Sequence, residues 1–115
     1  MAARTFSHLH RVTYAECIVG NHVYYARYLN WLEEARGEFS RFLGVPLLRW
    51  QDKDTAFPVI ECHLKYQSPA RYDDLLNIEV WLAEADRVRL YFGYRIVNQT
   101  SHLILEGSTV TSASR

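Results

Sequence analysis

The sequence has few of the residues and runs that mark specialised classes of protein. Its 115 residues include two cysteines, Cys17 and Cys62, which are too few for a disulfide framework. No CxxC or HxxxH spacing is present, so no zinc site is predicted. No apolar run approaches the ~20 residues of a membrane span, and the N-terminal stretch MAARTFSHLH lacks the apolar core of a signal peptide. We therefore expect a reduced, cytoplasmic protein with no metal and no membrane partner.

Charge of either sign is not in excess. The chain has 13 Lys and Arg against 13 Asp and Glu, so its formal net charge is zero. This balance excludes the basic surface of a general nucleic-acid-binding protein. It also gives little self-repulsion, which favours association between copies. With 49% hydrophobic and 14% aromatic residues, the composition fits one globular domain over residues 1–115 with an aromatic-rich core or interface.

One long helix is predicted over residues 23–43. Aromatic and aliphatic side chains recur there at steps of three and four, as they do on one face of a helix. Gly44 and Pro46 follow and predict where the helix ends. The face opens with four aromatic residues that we interpret mainly as core and otherwise as the lining of an apolar pocket. They are Tyr24, Tyr25, Tyr28 and Trp31.

The rest of the chain carries five alternating patterns typical of strands. They cover residues 6–14, 58–66, 75–85, 87–97 and 102–112. Short turns between the last three strands force antiparallel neighbours. The predicted fold class is α+β, with one long helix wrapped by a curved antiparallel sheet of about five strands. We expect Cys62 in the core, and an oligomer with Trp81, Tyr91 and Tyr94 in a subunit interface because the sheet is open outside.

Three segments resemble the motifs of a known family. Residues 14–29, YAECIVGNHVYYARYL, and residues 31–36, WLEEAR, resemble the opening motif of the 4-hydroxybenzoyl-CoA thioesterase-like family. Residues 66–74, YQSPARYDD, resemble its second motif, in which a tyrosine precedes Pro-Ala and an aspartate precedes a strand. The resemblance implies the hotdog fold and hydrolysis of thioesters of coenzyme A or acyl carrier protein, with no metal and no diffusible cofactor.

The resemblance also implies where the chemistry takes place. In the family's usual pattern a loop aspartate is the nucleophile or general base, and backbone N–H groups at the helix N-terminus polarise the thioester carbonyl. The matching donor here is the amide of Tyr25, helped by that of Tyr24, because the first N–H groups of a helix lack intrahelical partners. A gapless alignment places Ile18 at the aspartate position. Isoleucine can neither attack a carbonyl nor accept a proton, so the usual mechanism does not carry over.

Two glutamates are candidates to replace the missing acid. Glu16 lies two residues before Ile18, on the same side of an extended segment, and the alternative is an exposed loop acid. Glu33 lies about two turns beyond Tyr25, where the family usually also has a glutamate. A carboxylate partly buried between subunits there can activate water. The alternative for Glu33 is an ion pair with Arg36, three residues further on.

A third possibility needs no acid. Residues 11–21 also resemble carrier-protein thioesterases of enediyne polyketide biosynthesis, when one residue is removed before Ile18 and one is added at His22. Those enzymes lack the carboxylate, and a helix arginine is implied to hold the substrate's oxygen. Arg36 matches that arginine by position. A guanidinium is an always charged donor that suits a developing oxyanion, and the alternative is an ion pair with Glu33.

Five further residues near these motifs are site candidates. His22 is a candidate for proton transfer, with its charged form disfavoured by the helix N-terminus, and is otherwise a loop residue. Asn21 either positions a water or caps the helix. Tyr24, Ser68 and Arg71 are candidates for substrate binding, with Arg71 placed to meet phosphate groups.

The predicted function is hydrolysis of an acyl-CoA or acyl carrier protein thioester by a homo-oligomer. We expect a dimer, or a tetramer built from dimers, with active sites at the dimer interface. Because of Ile18, the alternative is a non-catalytic subunit that binds an acyl thioester or is structural. A third possibility is dehydration of a hydroxyacyl thioester. That reaction usually needs a histidine–acid pair near the helix, and His22 and Glu33 match the expected order poorly.

Overall fold

The computed structural model describes residues 5–20, 22–43 and 59–112. They form one five-stranded antiparallel sheet and one α-helix. The elements in chain order are β1 (Thr5–Arg11), a short 3-10 helix (Tyr14–Glu16), α1 (Arg27–Phe42), β2 (Val59–Tyr66), β3 (Leu75–Ala85), β4 (Arg89–Val97) and β5 (Leu103–Ser112). The predicted α+β class, with one helix against five antiparallel strands, is confirmed, and the architecture is that of the hotdog fold.

The strands lie in the order β1-β3-β4-β5-β2, and every pair is antiparallel. The three strands β3, β4 and β5 follow one another through short turns, as predicted. Strand β1 adds to one side of this meander, and β2, which comes after the helix, adds to the other side. β1 and β2 are therefore the two edges of the described sheet.

The helix packs on one face of the sheet. Leu76, Ile78 and Val80 of β3 are fully buried on that face, with Tyr94 and Ile96 of β4 beside them. The helix buries a stripe at three- and four-residue steps against them: Tyr28, Trp31, Leu32, Ala35 and Phe39. Removing apolar surface from water stabilises the fold by roughly 25 cal/mol per Å². No helix within the described segments is long and apolar enough to cross a membrane.

The helix begins later than the sequence pattern predicts. It starts at Arg27, although the apolar stripe begins at residue 23. Val23 forms a β-bridge with Cys17 instead, and its N–H donates to the carbonyl oxygen of Ala70 at 3.2 Å. This strand-like pairing holds the first aromatic residues in an entry turn rather than in the helix. The predicted stop at Gly44 and Pro46 lies outside the described residues.

The first predicted strand is also shorter than expected. β1 ends at Arg11 rather than at residue 14, and the 3-10 helix follows it. The backbone N–H of Thr13 donates to Oε1 of Glu16 at 2.8 Å. This capping contact directs the chain out of the sheet before the alternating pattern ends at residue 14.

Some predicted burial positions were wrong. Tyr24 and Tyr25 are 47% and 61% exposed because they precede the helix. Cys62 is exposed because it lies on an edge strand. Tyr94 was expected at a subunit interface, but it is fully buried because it shares the inner face of the sheet with Val80.

Candidate active site

The loop before the helix is a tight turn. The Cys17–Val23 bridge closes it, and the N–H of Ile18 donates to the carbonyl oxygen of His22 at 2.9 Å. Gly20 has φ of 90°, in the left-handed region that glycine adopts without strain. Ile18 is 54% exposed at the position where the family's usual pattern has an aspartate. The turn therefore presents an apolar side chain in place of an acid.

The entry to the helix offers two backbone donors. The carbonyl oxygens of Tyr24 and Tyr25 accept hydrogen bonds from Arg27 at 2.9 Å and Tyr28 at 3.3 Å. The N–H groups of Tyr24 and Tyr25 have no acceptor among the described residues. Two N–H groups at a helix start, where the dipole is positive, can hydrogen-bond the oxygen of a polarised carbonyl.

A cavity of about 310 Å³ lies beside these donors. Tyr25, Tyr28 and Tyr66 line it together with Ser68 and Pro69. The hydroxyl of Tyr28 accepts the N–H of Ala70 at 2.9 Å, and that of Tyr66 donates to the carbonyl oxygen of Tyr25 at 3.3 Å. Ser68 donates to the carbonyl oxygen of Leu103 at 2.6 Å, so its hydroxyl is engaged in fixing β5. The cavity walls are aromatic, which suits an apolar or planar group.

Glu16 is surrounded by donors. Its Oε2 accepts the indole N–H of Trp31 at 2.7 Å, its Oε1 accepts the Thr13 N–H, and Nε2 of His10 lies 3.0 Å from both oxygens. Burial would raise the pKa of this carboxyl, but the hydrogen bonds from Thr13, Trp31 and His10 outweigh it and lower the pKa to about 2. A carboxylate with so low a pKa is a weak base. Its position instead ties the loop to β1 and to the helix.

The same histidine reaches a second acid. Nδ1 of His10 lies 3.5 Å from Oε2 of Glu34, and Nε2 of His8 lies 2.5 Å from that oxygen. The ring of His10 also packs on Trp31, with centroids 5.0 Å apart. No group of three or more His, Cys, Asp or Glu side chains in the described segments is arranged to hold a metal ion.

Glu33 and Arg36 line a second cavity, of about 240 Å³, with Cys62 of β2 and Thr109 of β5. The Glu33–Arg36 ion pair, the alternative interpretation of both residues, is absent, and the Glu33 carboxylate has no partner among the described residues. Arg36 donates through Nη1 to the hydroxyl of Tyr94 at 3.0 Å. Burial raises the pKa of the Cys62 thiol, and the nearby Arg36 opposes that rise. An unpaired acid and an oriented cation thus share one apolar-walled space.

His22 and Arg71 form a pair at the edge of the entry loop. They meet in a β-bridge, and Nη1 of Arg71 lies 3.0 Å from Nε2 of His22. Because arginine only donates, Nε2 of His22 accepts this hydrogen bond and carries no proton. The backbone N–H of Arg71 donates to Oδ2 of Asp74 at 2.9 Å. Asn21, the remaining substrate-binding candidate, lies outside the described residues.

The sequence pattern did not point to two polar residues at this site. Tyr94 contacts Arg36 and Thr109, although Tyr94 and Thr109 come from two strands distant from the motifs. Strand alternation identifies the two faces of β4 but not which of them faces the helix, so Tyr94 was assigned outward. Their only signal in the sequence was a hydroxyl side chain, and β5 carries several other hydroxyl residues.

Comparisons with known proteins agree with this fold. Residues 20–105 match the family model of the thioesterase superfamily. The acyl-CoA thioesterase YbgC of Haemophilus influenzae is 34% identical over 109 residues, which cover 94% of this chain and 79% of that protein. A hypothetical protein of Thermus thermophilus, TT1821, has a structure that superposes with a TM-score of 0.90 at 30% identity, covering 96% of this chain and 83% of that one. The DHNA-CoA thioesterase of Staphylococcus aureus, at 22% identity over 96% of this chain and 74% of its own, shares the fold with a TM-score of 0.91.

The fold and the match to the family model define a hotdog-fold thioesterase. The chain belongs to the thioesterase superfamily, as the family model and the 34% identical relative show. The family resemblance of its motifs is thereby confirmed.

Proposed function

We propose that this protein hydrolyses acyl thioesters of coenzyme A to a free acid and the thiol. The observation that carries the proposal is the pair of N–H groups on Tyr24 and Tyr25, which lack an acceptor in the part of the chain that the structure describes and lie beside a tyrosine-lined cavity. In the proposed complex the thioester carbonyl oxygen accepts from these groups. They stabilise the charge that develops on that oxygen when the carbonyl carbon is attacked. An acyl carrier protein is the alternative carrier, and the cytoplasm is the proposed location.

Glu33 is the proposed general base. Its carboxylate has no partner among the described residues, whereas the hydrogen bonds of Glu16 leave that carboxylate a poor proton acceptor. Glu33 takes a proton from water as the water oxygen bonds to the carbonyl carbon. The C–S bond of the tetrahedral intermediate then breaks, and the proton passes to the leaving sulfur. Water supplies both the new oxygen and the proton, so the reaction needs no further reactant.

The spacing of these groups supports a site shared between two copies. Glu33 lies about 9 Å beyond Arg27, where the helix starts, at a rise of about 1.5 Å per residue, and Tyr25 precedes that start. One carbonyl group cannot reach both residues of the same subunit. A two-fold arrangement, which is the commonest in oligomers, brings Tyr25 of one copy beside Glu33 of a second copy.

Strand β2 is the proposed dimer contact. It is an edge of the described sheet, and both cavities open beside it. Val59, Ile60 and Tyr66 of this strand are 43%, 47% and 45% exposed, which is unusual for an open strand edge in a monomer. A dimer that pairs the two edges covers these side chains, and two such dimers give the proposed tetramer.

The assembly has a direct test. We expect Ile60→Lys to convert the dimer to monomer in sedimentation equilibrium, because a charge cannot be buried unpaired at the interface. Val88→Lys, at a side chain that is 50% exposed beside the β3–β4 turn, is the matched control and keeps the dimer. A wild-type protein that sediments as a monomer at all concentrations contradicts the proposed assembly.

Arg36 and Arg71 have proposed substrate roles. Arg36 holds an oxygen of the acyl group in the 240 Å³ cavity, through the N–H groups that do not contact Tyr94. Arg71 is exposed next to the entry loop and meets the phosphate groups of the carrier, with His22 as its neighbour.

The function is tested by thiol release from a panel of acyl-CoA esters with aromatic and aliphatic, short and long acyl groups. We expect turnover on at least one ester, with one thiol released for each acid formed. Arg36→Ala is measured beside the wild type and is expected to lose turnover. Water loss from a hydroxyacyl ester without thiol release would identify a dehydratase and contradict the proposal.

A non-catalytic subunit is the second candidate function. The exposed Ile18 favours it, because the family's usual acid is missing from the entry loop. This candidate predicts that acyl-CoA binds, as titration calorimetry would record, while no thiol is released from any ester of the panel. Thiol release on any ester excludes it.

A further inference from the structure

Two buried aromatic residues contact the guanidinium of Arg36. Its Nη1 donates to the hydroxyl of Tyr94 at 3.0 Å, and its Cζ lies 5.9 Å from the ring centroid of Phe92. Tyr94 is fully buried and Phe92 is 6% exposed, so neither ring can move without disturbing the core. The contact is charge-assisted and largely shielded from water, which makes it stronger than a surface hydrogen bond.

The hydroxyl of Tyr94 has a second partner. Its oxygen lies 2.8 Å from Oγ1 of Thr109, which is 3% exposed on the neighbouring strand. Since arginine only donates, the Tyr94 oxygen accepts from Arg36, and the hydroxyls of Tyr94 and Thr109 share a further hydrogen bond in which either can be the donor. The three side chains therefore form a continuous hydrogen-bonded chain, and Thr109 sets the direction of the Tyr94 hydroxyl.

This chain ends at the proposed site. Arg36 and Thr109 both line the 240 Å³ cavity that Glu33 also lines. A free arginine side chain populates many rotamers, and fixing it only when substrate binds would weaken its effect on the transition state. In this protein the contact with Tyr94 holds the guanidinium in place before substrate binds.

We propose that Tyr94 and Thr109 are positioning residues, which hold the Arg36 guanidinium in one orientation toward the acyl oxygen of the substrate. The inference rests on the proposed thioesterase function and extends it to two residues on strands outside the family motifs. The hydroxyl of Tyr94 contacts Arg36 and not the substrate. Its removal thus acts through the arginine.

The test compares Tyr94→Phe with Tyr91→Phe in the thiol-release assay. Tyr94→Phe removes the hydroxyl and keeps the ring, and we expect kcat to fall about tenfold, with KM changed less than about twofold, which equals about 1.4 kcal/mol in the barrier. Tyr91 lies on the same strand but on the opposite face, and its hydroxyl has no hydrogen-bond partner in the described segments. Tyr91→Phe should keep the wild-type kcat. Equal kcat values for the two variants overturn the proposal.

Two variants of Thr109 separate positioning from stability. Thr109→Val has nearly the same shape but no hydroxyl, so kcat should fall in the same direction by about threefold. Thr109→Ser restores the hydroxyl, and kcat should return to the wild-type value even if the lost methyl group lowers stability. A kcat that follows the unfolding free energy instead of the hydroxyl contradicts a positioning role.

A readout independent of activity keeps this inference separate from the proposed function. The arginine side-chain N–H signals are recorded by ¹⁵N NMR, and the Arg36 signal is assigned as the one lost in Arg36→Lys. In the wild type we expect slow rotation of the Arg36 guanidinium, and in Tyr94→Phe fast rotation. Absence of thiol release by the wild type contradicts the proposed function alone. Fast rotation in the wild type, or no change in Tyr94→Phe, contradicts the positioning role whatever the activity.

Discussion

Glu16 and Glu33 have the same side chain and opposite surroundings. Glu16 leaves 15% of its side chain exposed and accepts hydrogen bonds from Thr13, Trp31 and His10. Glu33 is exposed at the mouth of a cavity and has no partner among the described residues. The sequence offered both as replacements for the missing loop acid. The difference in surroundings favours a structural role for Glu16 and supports the proposal of Glu33 as the general base.

The contacts of Glu16 also indicate what holds the entry loop in position. The Glu16 carboxylate joins β1, the 3-10 helix and α1 at one point, so it fixes where the loop leaves and where the helix starts. The N–H groups of Tyr24 and Tyr25 depend on that geometry. An acid can therefore be needed for a thioesterase site without touching the substrate.

The largest expected effect is on stability and belongs to Glu16. Glu16→Gln should lower the free energy of unfolding by about 3 kcal/mol at pH 7, because an amide presents N–H groups to donors and loses the charge that they stabilise. Urea denaturation measures this change. Glu33→Gln is the matched control and should stay within about 0.5 kcal/mol of the wild type, as expected for an exposed side chain. Similar losses of unfolding free energy in the two variants would contradict a structural role that Glu16 has and Glu33 lacks.

The second effect is the dependence of stability on pH. The pKa of Glu16 is lowered from 4.5 to about 2, so its contribution is complete above pH 4.5 and is lost as the pH falls toward 2. Between pH 7 and pH 3 the wild type should lose about 2 kcal/mol that Glu16→Gln does not lose. Denaturation of both proteins at several pH values measures the difference. A difference that is constant from pH 7 to pH 3 would show that the carboxylate does not provide this stability.

The fold was predictable and the roles of the acids were not. Periodic apolar side chains predict the helix and the strands, and short turns predict their antiparallel order. The roles of Glu16 and Glu33 depend on contacts between elements distant in sequence, such as the indole N–H of Trp31 meeting Glu16. The late start of the helix has the same origin, because Val23 pairs with Cys17 and Ala70 rather than continuing the apolar stripe. Periodicity carries no information about such pairing.

The smallest effect concerns the loop position that lacks an acid. Ile18→Asp in a Glu33→Gln background should raise kcat about tenfold above Glu33→Gln alone, because it places a carboxylate in the entry loop near the helix donors. Ile18 is exposed, so folding should tolerate the change. Val19→Asp is the matched control, at a neighbouring position that is fully exposed, and should restore nothing. Equal rates for the two double variants would mean that the loop cannot host the acid.

Glu33, and not Glu16, is the proposed acid of the reaction. The most direct measurement is kcat for Glu33→Gln and Glu16→Gln on one acyl-CoA ester, at a temperature where circular dichroism shows both variants folded. We expect kcat to fall about a hundredfold or more in Glu33→Gln, as for removal of a general base, and less than about fivefold in Glu16→Gln. The reverse order, or full activity in Glu33→Gln, would contradict this proposal.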